Sequence, residues 1–73
     1  MFTYKLNFEN YQIEGPICHN YSTAWFLAQN EIKQMISDNW QADDNTWKNI
    51  KKPLKINLKN KNQCCNLIIC KIK

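Results

Sequence analysis

The chain has no arginine, one glycine, one histidine, two prolines and no long apolar run. Each shortage excludes something. Loops that cradle phosphate need several glycines, because the backbone must approach the ligand closely. With Gly15 alone, P-loop and dinucleotide-binding readings fall away. Apolar runs such as Leu67-Ile68-Ile69-Cys70 are far short of the roughly 20 residues that a membrane-spanning helix needs. The start of the chain, Met1-Phe2-Thr3-Tyr4-Lys5-Leu6, alternates, where a signal peptide has a charged start and a continuous apolar segment. The expectation is a chain that begins at Met1 and works in the cytoplasm, away from membranes.

The residues of chemistry are equally sparse. A nucleophile needs a base beside it and a third group to orient that base. The lone His19 adjoins Cys18, and neighbours in an extended chain point to opposite sides, so the pair makes a poor dyad. His19 reads as a loop or strand-edge residue. Asp43-Asp44 is the only adjacent carboxylate pair; it falls in a polar segment that suits helix capping, not in a cleft that would hold two acids for acid–base work. No catalytic residue is assigned, and the chain is read as a non-enzyme without cofactor.

The cysteines are Cys18, Cys64, Cys65 and Cys70. An even count in a short chain admits a disulfide framework, but that reading needs a secretory setting. Zinc knuckles space their thiolates so that both face one ion, whereas the vicinal Cys64-Cys65 point apart on a strand. Reduced, mostly buried thiols acting as small hydrophobes are the reading adopted, with no metal site. Disulfides, or a Cys/His site joining Cys18 to Cys65 or Cys70, remain the alternatives.

What is present describes one domain spanning residues 1–73, with 44% apolar residues and three each of Trp, Tyr and Phe. That is too aromatic for a disordered tail and gives a small core large buried groups. Phe2, Tyr4, Leu6 and Phe8 alternate with polar residues, the period of a strand buried on one face. The phase breaks at Glu9-Asn10 and resumes with Tyr11 and Ile13. A tight turn there makes residues 2–8 and 11–18 a hairpin; a bulge in one longer strand is the rival. Asn20, Ser22 and Thr23 offer helix N-caps. Trp25, Ala28, Ile32, Met35, Ile36 and Trp40 then recur at helical spacing, predicting an amphipathic helix over 22–40, with Phe26 and Leu27 widening its apolar face. Residues 41–45 form a polar connection. Asp43 or Asp44 caps a short turn carrying Trp47 and Ile50, or the segment is an irregular loop. Leu54, Ile56 and Leu58 alternate with Lys55, Asn57 and Lys59, a clear strand. After a turn at 60–63, residues 64–72 form another, whose unbroken apolar run suits a central place in the sheet. The predicted fold is α+β: a small antiparallel sheet of three to four strands, ββαββ-like, with one long amphipathic helix across one face. One helix covers one face, so the second face must be solvated, covered by a second copy, or reserved for a partner.

Charge is divided along the chain. Met1 to Thr46 holds two lysines against six acids, a balance of −4, while Trp47 to Lys73 holds eight lysines and no acid, +8. Lys48, Lys51, Lys52, Lys55, Lys59 and Lys61 form a basic cluster suited to nucleic acid or to an acidic protein. Lysine neutralises phosphates without sequence preference, and lysines also guard an edge strand against unwanted pairing. Glu31, Asp38, Asp43 and Asp44, with Trp40 and Trp47 as anchors, form a candidate acidic surface for a basic partner. Phe2, Tyr4, Phe8 and Tyr11 are either core or a stacking platform for bases.

Small size, abundant Lys and Asn and divided charge are similar in style to products of phages and mobile elements. Such proteins often act as stoichiometric blockers of a host complex, as anti-CRISPR proteins do. The likeness is one of size and composition and rests on no motif. The functional expectation is therefore a non-catalytic, phage-type protein that binds a protein complex of the host. The alternative is a sequence-nonspecific nucleic-acid-binding module using the lysine-rich C-terminal hairpin. A homodimer is compatible with both.

Overall fold

The computed structural model describes residues 1–42 and 55–72. In chain order it contains β1 (Phe2–Phe8), β2 (Gln12–Glu14), α1 (Tyr21–Ser37), β3 (Gln41–Ala42), β4 (Lys55–Asn60) and β5 (Gln63–Lys71). The strands form one antiparallel sheet in the order β2-β1-β5-β4-β3. The sheet thus has five strands, not the three to four expected. The extra one is β3, formed where the sequence reads as a polar connection: Gln41 and Ala42 pair with Lys59 and Leu58. Two residues carry no period, so pairing alone makes this strand. The predicted short turn at Trp47 and Ile50 lies outside the described residues.

The first hairpin turns tightly at Glu9-Asn10. Phe8 N–H donates to the Tyr11 carbonyl at 2.9 Å, and Leu6 stands opposite Ile13. Further along, the register slips by one residue, since Phe2 bridges to Cys18. The extra residue is a bulge near Gly15-Pro16. Thr3, only 2% exposed, holds it: its hydroxyl reaches the carbonyls of Gly15 at 2.9 Å and Pro16 at 3.0 Å. Gly15 is required there, because a Cβ would sit 2.3 Å from the Tyr4 ring.

Asn20 is the N-cap of α1. Its side-chain oxygen accepts from the Thr23 N–H and the Thr23 hydroxyl, both at 2.8 Å, satisfying a donor that the first turn leaves open. The helix ends three residues before the expected limit. Asn39 takes a left-handed φ of 74°, the Asn39 N–H donates to Ile36 O at 3.2 Å, and the Trp40 N–H to Met35 O at 3.0 Å. This is a Schellman closure, for which Gly or Asn is suited. Trp40 therefore joins the core margin from outside the helix.

The core lies between α1 and one face of the sheet. Ala24, Trp25, Ala28, Ile32 and Met35 meet Tyr4, Leu6, Ile56, Leu58, Cys65, Leu67 and Ile69, all buried. Leu27 packs against this cluster, whereas Phe26 and Ile36 are exposed; the predicted apolar face was too wide. Phe26 falls about 100° around the helix from Trp25, on the side away from the sheet. β5 is the central strand, as its apolar run predicts. The C-terminal hairpin closes through Lys61, at φ 54°.

Candidate functional site

The register fixes what the second sheet face carries. Gln12, Asn7, Asn66 and Asn57 stand opposite one another across β2, β1, β5 and β4. Asn7 Nδ2 donates to Asn66 Oδ1 at 2.9 Å, and Gln12 Nε2 donates to Asn7 Oδ1. The next row contains Glu14, Lys5, Ile68 and Lys55, with Lys5 and Glu14 paired at 3.7 Å. In these two rows the second face carries amides, two lysines and Glu14, with Ile68 as the one apolar residue. Lys55 and Lys59 are exposed beside the buried Ile56 and Leu58, so both point from this face, roughly 13 Å apart along the strand. Lys61 is exposed in the adjoining turn. Lys48, Lys51 and Lys52 lie outside the described residues. A shallow depression of about 520 Å³ occupies one end of this face, over Asn7, Asn57, Lys59, Cys64 and Asn66.

Among the described residues, no aromatic stands on that face. Phe2, Tyr4 and Phe8 point to the helix side, which settles the choice between core and base-stacking platform for these three. Tyr11 shares that side but is 59% exposed, because it follows the Glu9-Asn10 turn at the outer edge of the sheet. Its ring stacks on Phe8 at 4.6 Å, and Phe8 meets Trp40 edge-on at 5.9 Å. The three rings form an aromatic end to the molecule. A crevice of about 120 Å³ opens there between Glu9, Tyr11, Trp40 and Gln63.

The expected acidic surface is described only in part. Glu31 and Asp38 are two helical turns apart and so share a flank of the helix. Glu31 is half-buried and accepts from the Tyr4 hydroxyl at 3.3 Å. Asp38 is the exposed C-cap of α1, and no basic residue occupies the last turn. Carboxylates are unfavourable at that end, where the helix dipole is negative. Trp40 belongs to the aromatic end; Asp43, Asp44 and Trp47 lie outside the described residues.

Burial, then the nearby Glu31 charge, its hydrogen bond and Cys18 push the Tyr4 phenol up to about 12. Burial pushes the Cys65 thiol up to about 11 and raises Tyr21 as well. Among the described residues, the buried Tyr21 hydroxyl has no hydrogen-bond partner. The four thiols are unpaired, and Cys64 is exposed while Cys65 is buried, as expected for vicinal residues on a strand. His19 is exposed before the helix. Among the described residues, no group of three or more His, Cys, Asp or Glu is placed to hold a metal ion, and no helix is long and apolar enough to cross a membrane.

Sequence reasoning placed Lys55 and Lys59 on one face and singled out Trp40. It missed the aromatic end, because Glu9, Tyr11, Trp40 and Gln63 meet only through the fold. Comparison with protein-family models, curated proteins and solved structures finds no match.

Proposed function

We propose that this chain is a non-catalytic binding protein that acts stoichiometrically, by occupying a basic surface of a protein complex. In kind this is the action of a phage-type blocker of a host machine, covering a site where that machine binds nucleic acid. The observation that carries the reading is Asp38. It stands at the negative end of α1, whose last turn holds no basic residue, a local cost of about 0.3–1 kcal/mol, two residues before the aromatic end. A cationic partner relieves that cost, and exposed Tyr beside Trp is the usual composition of an interface anchor. The test is capture on the tagged protein from host-cell lysate, with and without nuclease. A protein retained in fixed ratio after nuclease supports the reading. Binding that disappears with nuclease refutes it.

A second reading has its own support: Lys5, Lys55 and Lys59 share the second sheet face with a row of amides, which are suited to phosphate contacts. It describes a sequence-nonspecific nucleic-acid-binding module. Three phosphate contacts to a duplex imply a log–log salt slope near about −2.7. A titration with random-sequence duplex that shows no salt dependence removes this reading.

A further inference from the structure

We propose that the crevice between the Glu9-Asn10 turn and Trp40 receives an arginine side chain of the protein partner. The inference rests on the protein-binding reading above and gives that surface its chemistry. The crevice measures about 120 Å³ and none of its lining residues is a cation. Its lining includes Glu9, Asn10 and Gln63, whose side-chain oxygens are acceptors for guanidinium N–H groups. Its walls are aromatic. Tyr11 is backed by Phe8 at 4.6 Å, and Phe8 is braced by Trp40 at 5.9 Å, so the stack is held in place before anything binds. Tyr11 nonetheless keeps 59% of its surface in water.

This combination of π faces, a carboxylate and side-chain carbonyls is what a planar cation recognises. An aliphatic side chain would leave Glu9 and Gln63 without partners, and an anion would be repelled by Glu9. Arginine fits better than lysine, because a flat guanidinium stacks on a ring while its edge donates to a carboxylate. A nucleic-acid-binding site of the kind that a blocker must cover supplies such arginines. Asp38 stands two residues before Trp40 in the chain, at the exposed C-cap of α1.

The test is an NMR titration of the full ¹⁵N-labelled chain with N-acetyl-arginine amide, repeated with N-acetyl-citrulline amide, its neutral isostere. The expected result is saturable shifts at the Trp40 indole N–H and at the amides of Asn10, Tyr11 and Gln63 with arginine and not with citrulline. Tyr11→Ala weakens binding about two- to fivefold, the effect of a cation–π contact at an exposed site. Glu9→Gln weakens it too and leaves the rest of the spectrum in place, which separates loss of the site from loss of fold. Equal shifts with both probes, no saturable shift with either, or an unchanged response in Glu9→Gln overturns the proposal. If the proposal fails while a nuclease-resistant partner is still captured, the protein-binding reading stands and only the arginine site falls.

Discussion

Asn7 donates from its side-chain amide to that of Asn66 at 2.9 Å, across the adjacent inner strands β1 and β5. With Gln12 bonded to Asn7 on the other side, this contact makes the second sheet face polar at its centre. Ile68 lies two residues from Asn66 on the same face of the same strand, and half-buried. Asn66→Ile joins the two into an apolar stripe on the central strand. The fold tolerates the change, since β-branched residues suit strands. Light scattering across a concentration series therefore gives a rising mass for Asn66→Ile and a constant one for the parent chain. A constant mass for both contradicts the role given to the amide row.

Gly15 carries a second prediction. A Cβ there meets the Tyr4 ring at 2.3 Å, and that ring is buried and tied to Glu31. Gly15→Ala should cost about 1–3 kcal/mol, the range for overpacking a core. Adding Tyr4→Leu removes the ring and should make the pair less costly than the two single changes summed. Urea denaturation of the four proteins reads this directly; simple additivity rules out the clash.

Two hydroxyls predict opposite outcomes. The Tyr21 hydroxyl is buried and has no partner among the described residues, so Tyr21→Phe should be neutral or stabilising by up to about 1 kcal/mol, because what is lost is a desolvated polar group. Tyr4→Phe loses the bond to Glu31 and should destabilise. Thermal midpoints of the two variants distinguish these effects, at roughly 4–8 °C per kcal/mol for a domain of this size.

Alkaline pH should destabilise the protein. The folded-state values of Cys65, near about 11, and Tyr4, near about 12, lie above the ordinary values of 9.0 and 10.0. Between the ordinary and raised values the folded state holds more protons than the unfolded one, so stability falls as pH rises. The contribution is complete below pH about 9 and is lost progressively up to about 12. Denaturation midpoints measured from pH 8 to 12 should decline, and Tyr4→Phe should flatten the upper part of the decline.

Much of this fold was legible because periods are legible. The alternation of Phe2 to Phe8 and of Ile56 to Leu58 specified strands and their buried faces, and Trp25, Ala28, Ile32 and Met35 specified the helix face. The same logic failed where a residue kept the period but lost the element. Trp40 continues the helical spacing, yet Asn39 reverses the chain first. Tyr11 continues the aromatic alternation, yet the strand that it leads into is the outermost and the residue remains exposed. Lys55 and Lys59 were placed correctly because their face follows from strand parity alone. The aromatic end was not legible, since it gathers residues from three separate parts of the chain.

The most direct measurement is quantitative capture of the partner from nuclease-treated lysate by four versions of the tagged protein: parent, Tyr11→Ala, Asp38→Lys and the double variant Lys55→Glu/Lys59→Glu. Circular dichroism first establishes that each is folded. The account predicts that the lysine variant retains the partner at the parent level, and that Tyr11→Ala and Asp38→Lys each lose most of it. Loss with the lysine variant and retention with the other two would contradict it and place the working surface on the amide and lysine face.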